Sequence, residues 1–408
     1  MQEAKFNIIL DGQHGSSGKG KMSTYLAHKY QVTNVSSANF PNAGHSFVHK
    51  DYKFVAKAIP TAAGLKKVFG IGMNCFISPG SGFDWKRLIQ EWDESGRPRI
   101  FVHERASVVT NDHKVREERG ADSTKHIAST MQGTAAALAD KILRKKDTAL
   151  AYGSASEGRV SVADWARFLS NSDPDINALF DQPGTFREFT EKVQVVAPNS
   201  FRDMTWNLIN EGHSWLHEGS QGYALSIDHG SHYPNCTSRN CTTQAAMDYM
   251  AIPPKMVGDI YLNLRTFPIR VGNVVEGGEQ LGHSGDFYPD STETTWEAVA
   301  DGAGMPPEER ALLAERERTT VTKRIRRVST FSFQNLADAV KTNGITKLCV
   351  NFVQYLNWKD NGLRGNRSSL SLLSKETRDF VARVEDVANL PVVLIGTGAA
   401  HDDIIDLM

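Results

Sequence analysis

Ten residues near the start of the chain, Gly12-Gln-His-Gly-Ser-Ser-Gly-Lys-Gly-Lys21, hold four glycines and two lysines. Glycines let backbone N–H groups close round an anion, a helix start adds unpaired N–H groups, and Lys19 supplies a point charge, so a polyphosphate is the ligand this composition fits. It is not a regular Walker A loop. Counting back from Gly18-Lys19 places Gln13 where the first glycine belongs, and Gly20 stands where Ser or Thr would hold magnesium. A second group, His229, His232, Cys236 and Cys241, brings zinc-ligand types together within thirteen residues. Its spacing matches no common zinc finger, and Cys75 and Cys349 read as buried thiols.

The phosphate loop needs a strand before it and a helix after it. Residues 5–10, KFNIIL, read as a buried strand, and Met22, Tyr25, Leu26 and Tyr30 recur at near-helical spacing. Further strands are predicted at 68–71, 100–103, 215–217, 260–264, 348–353 and 392–395. Helices are predicted at 134–146 and at 374–390, where Phe380, Val381, Val384, Val387 and Ala388 form one apolar stripe behind a Ser cap. Such alternation predicts an α/β fold, a central, mostly parallel sheet flanked by helices on both faces. Residues 277–317, rich in Gly, Glu, Ser, Thr and Pro, read as an inserted loop with one short helix inside a single domain spanning 1–408.

Composition excludes several classes. The chain has 408 residues with 46 Lys+Arg against 47 Asp+Glu, a formal net charge of −1, which is not the footprint of a protein that coats nucleic acid or an anionic membrane. No apolar run approaches the roughly eighteen residues of a membrane span. The start, MQEAKFNIIL, lacks the order of a secretory signal. A cytoplasmic protein, in a host cell if phage-encoded, is expected.

The loop resembles the Gly-x-Gln-Trp-Gly-Asp-Glu-Gly-Lys-Gly-Lys signature of adenylosuccinate synthetases, and further matches follow in the same order. Asn42-Ala-Gly-His45, Ser129-Thr130, Asp140-Lys141-Ile-Leu-Arg144 and Glu218-Gly-Ser-Gln-Gly222 are similar to family elements. So are Ile227-Asp-His-Gly230, Tyr233-Pro234, Thr237-Ser238, Arg270-Val-Gly272, Val321 to Arg327 and Gly396-Thr-Gly398. The resemblance implies a P-loop-like nucleotide-binding fold and a C–N ligase that phosphorylates a purine 6-oxygen and then displaces the phosphate with the amine of L-aspartate. It implies catalysis by His45, Ser16 and Lys19, with magnesium at Ser16 and the Gly44 carbonyl. The donor nucleotide would meet Ser17, Gly18, Lys19, Gly20, Lys21, Gly44, His45, Ser46, Arg326, Gln354, Gly396 and Gly398. The acceptor would meet Ser16, Asn42, Ser129, Thr130, Gln221, Thr237 and Val271, with Arg144 reaching in from the second subunit of a homodimer. Aspartate would meet Val321, Thr322 and Arg324, and Arg327 lies in the same basic run. On their own residue types, Ser129 and Thr130 also fit a helix cap, and a basic run also fits a solvated face.

Two departures bear on specificity. Ser16 replaces the family aspartate that takes the N1 proton of the acceptor base and helps bind magnesium, and Ser17 replaces the next glutamate. A smaller, uncharged side chain leaves space where guanine carries its 2-amino group; the proton acceptor is then open between Asp11, a water and Ser16 acting through a neighbour. Gln354 stands where the family's Thr-Lys-Leu-Asp ends. A carboxylate only accepts, which suits guanine, whereas a Gln amide both donates and accepts, which suits adenine. Both changes fit a phage branch of the family that joins aspartate to dGMP with ATP or dATP to give N6-succino-2-amino-2′-deoxyadenylate. The alternatives are an enzyme acting on IMP with GTP, and an inactive nucleotide-binding homologue.

Overall fold

The computed structural model describes residues 5–120, 123–145, 179–180, 183–319 and 321–408. In chain order the strands are β1 (Phe6–Asp11), β2 (Asn34–Ser37), β3 (His45–His49), β4 (Tyr52–Ala56), β5 (Asn74–Ile77), β6 (Gly82–Phe83), β7 (Arg99–His103), β8 (Ser107–Val108), β9 (Val193–Val196), β10 (Trp215–Glu218), β11 (Val257–Arg265), β12 (Ile269–Arg270), β13 (Val274–Glu276), β14 (Glu279–Gly282), β15 (Glu293–Thr294), β16 (Arg327–Ser329), β17 (Lys347–Asn351), β18 (Gly365–Asn366), β19 (Val392–Gly396) and β20 (Ile404–Asp406). Eleven of them form one sheet in the order β18-β20-β19-β17-β11-β1-β10-β2-β5-β7-β9. Neighbours run parallel throughout, apart from the antiparallel pair β19 and β20.

β1 shows why the sheet is covered on both faces. Successive side chains of a strand point to opposite sides. Ile9 joins one apolar core with Met22, Leu26, Phe47, Leu88 and Trp92. Phe6, Ile8 and Leu10 join the other, with Phe201, Met250, Leu336, Val381 and Val384. Such strands read as continuous apolar runs, which is why residues 5–10 are legible. The chain leaves β1 toward β2 on one side while β11 and β17 lie on the other, so the carboxyl ends of β1, β10 and β11 open a crevice at a switch point in strand order.

The helix α1 (Lys19–Lys29) follows the loop, with Gly18 at φ 81° as its N-cap. The helix Lys375–Ala388 has the expected cap, the Ser374 hydroxyl accepting from Thr377 N at 3.2 Å. Three expectations need correction. Residues 68–71 are not a strand: Val68 and Phe69 close the helix Gly64–Phe69, which stops at left-handed Gly70, and the strand is β5. A short apolar run does not by itself distinguish helix end from strand. The strand predicted at 348–353 ends at Asn351, because Phe352 turns left-handed, φ 64°, into the turn Val353–Tyr355. The region 277–317 carries two helices, Trp296–Ala303 and Pro307–Arg316, rather than one. Trp296, Val299 and Leu313 pack with Ile269, Val328 and Tyr355, so the segment has its own apolar core. The helix predicted at 134–146 spans Thr134–Ile142, and residue 146 lies outside the described residues. No described helix is long and apolar enough to cross a membrane.

Candidate active site

The loop after β1 is held from beneath by the residue that ends the strand. Asp11 Oδ1 accepts from the backbone N–H of Gln13 at 2.8 Å and of Gly15 at 3.4 Å, while Oδ2 accepts from Ser17 N at 3.3 Å and from the Ser17 hydroxyl. Gln13 and Arg265 exchange two bonds: Gln13 Nε2 donates to Arg265 O at 3.1 Å, and Arg265 N donates to Gln13 Oε1 at 2.9 Å. Asn263 Nδ2 donates to Ser17 O at 2.9 Å, and Asn335 Nδ2 to Gly12 O at 2.9 Å. Gly15 and Gly18 both need positive φ, 86° and 81°, and a side chain on Gly18 would meet Asn351 at 3.2 Å. The loop is thereby fixed in a phosphate-cradling shape at the start of α1. Lys19, 4% exposed, donates from Nζ to Gln221 O at 2.9 Å.

His45 opens β3, and a residue at the end of β10 orients it: His45 Nδ1 is bonded to Glu218 Oε1. Glu218 also accepts from Thr61 N at 3.1 Å, Thr61 Oγ1 at 2.9 Å and Ser23 Oγ at 3.1 Å. Burial pushes the Glu218 carboxyl up, but the His45 partnership and the Lys19 charge outweigh it and leave the group below the usual carboxylate range. A carboxylate bonded to Nδ1 sets the imidazole tautomer and leaves Nε2 to meet a substrate.

These groups border a cavity of about 360 Å³. Of the sequence-predicted residues, its wall brings together Ser16, Ser17, Gly18, Lys19, Gly20, Asn42, Gly44, His45, Ser46, Ser129, Thr130, Gln221, Thr237, Val271, Val321 and Arg326. Ser129 and Thr130 are not the cap of the helix Thr134–Ile142. That helix begins at left-handed Gly133, and Glu117 takes its N-terminus, accepting from the N–H groups of Gly133 at 2.7 Å, Ala135 at 2.5 Å and Ala136 at 3.1 Å.

Other predicted residues stand outside that wall. Lys21 is buried and gives Nζ to Gly398 O at 2.8 Å and Asp403 O at 3.2 Å, with burial lowering its pKa to about 7. It ties α1 to the C-terminal segment. Gly396 and Gly398 provide the room: a side chain on Gly396 would meet Asn351 Oδ1 at 2.0 Å and Lys21 Nζ at 2.6 Å, and one on Gly398 would meet Asp403 at 2.5 Å. Arg324 Nη2 donates to Ala128 O at 2.9 Å and Ser129 O at 3.0 Å, and Nε to Thr322 Oγ1 at 3.1 Å, joining the basic run to the Ser129 segment. Arg327 is committed to Glu293, Ser284 and Gly285. Arg144 is exposed just beyond the helix Thr134–Ile142. Gln354 is 7% exposed in the turn after β17, and its Oε1 is buried without a hydrogen-bond partner. His229, His232, Cys236 and Cys241 belong to no group of three or more side chains placed to hold a metal among the described residues. Cys75 and Cys349 are buried in β5 and β17.

Sequence reasoning missed several groups. Arg265, 1% exposed, donates to Ser16 O at 3.0 Å and to Glu317 Oε1 at 3.0 Å, while Arg326 reaches Glu317 Oε2 at 3.2 Å and Tyr355 OH donates to Glu317 Oε1 at 2.9 Å. Burial would raise Glu317, but the two guanidinium groups hold it low. No local pattern marks this cluster of four side chains. Glu218 did carry a signal, its place in Glu-Gly-x-Gln-Gly. His14 lines the cavity with both ring nitrogens buried and unpartnered, and burial, with Arg270 next, holds it well below its usual range.

A parallel α/β sheet with a phosphate loop at its switch point and a carboxylate-oriented histidine beside the loop lysine define a nucleotide-binding α/β enzyme. Comparison with known proteins narrows the class. Residues 8–361 match the family model of adenylosuccinate synthetase. The N6-succino-2-amino-2′-deoxyadenylate synthase of Cyanophage S-2L is 32% identical over 356 residues, 86% of this chain and 82% of that one. The adenylosuccinate synthetase of Methanocaldococcus jannaschii is 25% identical, covering 98% and 96%. Among solved structures, the Cyanophage S-2L succinoaminodeoxyadenylate synthetase bound to dGMP and dATP as energy donor superposes with TM-score 0.72 at 29% identity, over 99% of this chain and 96% of that one. Fully ligated adenylosuccinate synthetase from Plasmodium falciparum shares the fold, TM-score 0.74 at 16% identity, over 99% and 100%. The chain belongs to the adenylosuccinate synthetase family, and it is a ligase of that type.

Proposed function

We propose that this enzyme joins L-aspartate to C6 of dGMP, using ATP or dATP, through a 6-phosphoryl intermediate, and releases N6-succino-2-amino-2′-deoxyadenylate for 2-aminoadenine DNA. The observation that carries this reading is Gln354: a buried amide oxygen without a partner, in the segment whose Phe352 borders the cavity, is an acceptor held for a donor. The adenine N6 amino group is such a donor, and the amide N–H can meet N1; guanine asks for two acceptors. Ser16 supports the acceptor half, since a short neutral side chain in the cavity wall admits the 2-amino group of guanine. The phage relatives carry the same activity in their names.

His45, oriented by Glu218, is placed to stabilise charge on the purine oxygen as the phosphoryl group arrives, and Lys19 neutralises the phosphates. Ser129, Thr130, Asn42 and Thr237 offer polar groups to the acceptor phosphate. Val321, Thr322 and Arg324 are assigned to aspartate. Magnesium fits the donor set: the Ser16 hydroxyl and the Gly44 carbonyl are neutral oxygens, and this ion takes most of its ligands from phosphates and water. When bound, it supplies charge neutralisation on the triphosphate. The enzyme works as a homodimer in the cytoplasm of an infected cell, Arg144 completing the neighbouring site.

The test is a matrix of dGMP, GMP and IMP against ATP, dATP and GTP with aspartate, following nucleoside diphosphate and succinylated product. Best turnover is expected for dGMP with ATP or dATP. IMP with GTP as the best pair, or silence throughout, would overturn the reading.

A further inference from the structure

Phe352 stands in left-handed backbone, φ 64°, a region that a bulky side chain rarely adopts, so the turn Val353–Tyr355 that it opens must be fixed from outside. Three contacts do this. Thr266 Oγ1 donates to Phe352 O at 2.7 Å, the Arg265 guanidinium lies 4.3 Å from the Phe352 ring centroid, and Tyr355 OH donates to Glu317 Oε1 at 2.9 Å. The last two meet at one group, since Arg265 Nη2 donates to the same Glu317 oxygen at 3.0 Å. Arg326 Nη1 donates to the other oxygen at 3.2 Å, and Glu317 is 3% exposed. The carboxylate follows the helix Pro307–Arg316, whose Leu313 shares an apolar core with Tyr355, so its anchor lies outside the turn that it holds. Gln354 sits inside that turn, immediately before Tyr355. Its buried amide oxygen has no partner, so the place of the amide depends on the turn that carries it.

We propose that Glu317 is a positioning residue for donor-base selection: by holding Tyr355 and Arg265 it fixes the turn that presents the Gln354 amide to the base. This rests on the reading of Gln354 given above. An amide edge tells adenine from guanine only while its donor and acceptor stay aligned with the base, because hydrogen bonds weaken steeply as their angles close. A loosened turn lets the amide tilt, whereas the phosphates still bind at the loop after β1. Selectivity therefore falls further than activity. Two substitutions probe the carboxylate from opposite sides. Tyr355→Phe deletes one O–H and keeps the ring against Phe352 and Trp296, whose centroids lie 5.5 and 6.1 Å away. Glu317→Gln keeps the size but makes the acceptor neutral, which weakens the bonds from both guanidinium groups and from Tyr355.

The experiment measures kcat/KM for ATP and for GTP, at saturating dGMP and aspartate, in wild type, Tyr355→Phe, Glu317→Gln, the double variant and Gln354→Asp. The preference for ATP over GTP is expected to fall about tenfold in Tyr355→Phe and at least as far in Glu317→Gln, through a raised KM for ATP. The double variant is expected to lose less than the product of the two single losses, since both act on the same bond. A preference unchanged from wild type in both single variants overturns the proposal. So does an equal loss with both donors, which is what a general loosening of the fold would give, and so do losses that multiply in full. If Glu317→Gln does not fold, the ratio in Tyr355→Phe decides. A wild type without preference for ATP, or a Gln354→Asp with unaltered preference, strikes the Gln354 reading and the proposal with it. A shift in Gln354→Asp alone strikes only the proposal, so the two failures are distinguishable.

Discussion

At the scale of single residues, the pair His45 and Glu218 shows how the side chain proposed for catalysis is held. The carboxylate is 1% exposed and accepts from His45, Thr61 and Ser23, so it fixes the ring before substrate arrives. Glu218→Gln keeps the size but puts an amide beside Nδ1, which no longer favours one tautomer or a charged ring. We expect kcat to drop about tenfold to a hundredfold with KM for aspartate nearly unchanged, by steady-state kinetics. Gln354→Asp replaces a donor-and-acceptor edge by two acceptors, and a shift of donor preference from ATP toward GTP by about tenfold is expected in competition assays. Unchanged preference would remove Gln354 from donor recognition. Ser16 and Gln354 were legible as departures because each stands at a fixed place in a local motif. Glu218 was visible in its motif, yet its partner was not, because they are 173 residues apart.

At the scale of elements, the site depends on close approaches between segments that follow different strands. Gly222, in the segment after β10, touches the phosphate loop: a methyl there would lie 2.2 Å from Gln13 O and 2.6 Å from Gly15 N. Gly222→Ala must push the two loops apart. A stability loss of about 1–3 kcal/mol is expected in urea unfolding, with about a hundredfold loss of kcat/KM from a misplaced loop. Wild-type kinetics in that variant would mean that the loops are not held against each other. Helix and strand types were read from periodicity where runs were long, as in residues 374–390. They failed at 68–71, where four apolar-rich residues carry no period and left-handed Gly70 decides the ending.

At the scale of the whole molecule, two measurements report on assembly and charge. Ile142 and Leu143 stand 77% and 67% exposed beside Arg144, an apolar pair on the face that the proposed homodimer would cover. In the proposed homodimer Leu143→Asp should halve the mass found by sedimentation equilibrium and raise KM for the acceptor; an unchanged mass would remove this face from the interface. Burial lowers His103 and His217 to about 3 and His401 to about 4. An unfolded imidazole titrates near 6.5, so below that pH the unfolded chain binds protons that the folded one refuses. Their contribution is whole above pH 6.5 and is lost as pH falls toward about 3 for His103 and His217 and about 4 for His401, by up to about 1.4 kcal/mol per pH unit for each group. Urea midpoints at pH 7.5, 6.5 and 5.5 should fall in that order, and flat midpoints would contradict the buried neutral rings. The amino-acid sequence by itself determined the phosphate loop, the alternation of strand and helix, the family and its two departures, because each is written in neighbouring residues. Only the tertiary structure decided how side chains are spent. Asp11 is consumed by its own loop, Lys21 reaches a carbonyl 377 residues away, and Arg265 meets Glu317 across 52 residues. Those pairings follow from strand order, which sets what lies beside the carboxyl end of β1 and which local periodicity does not encode.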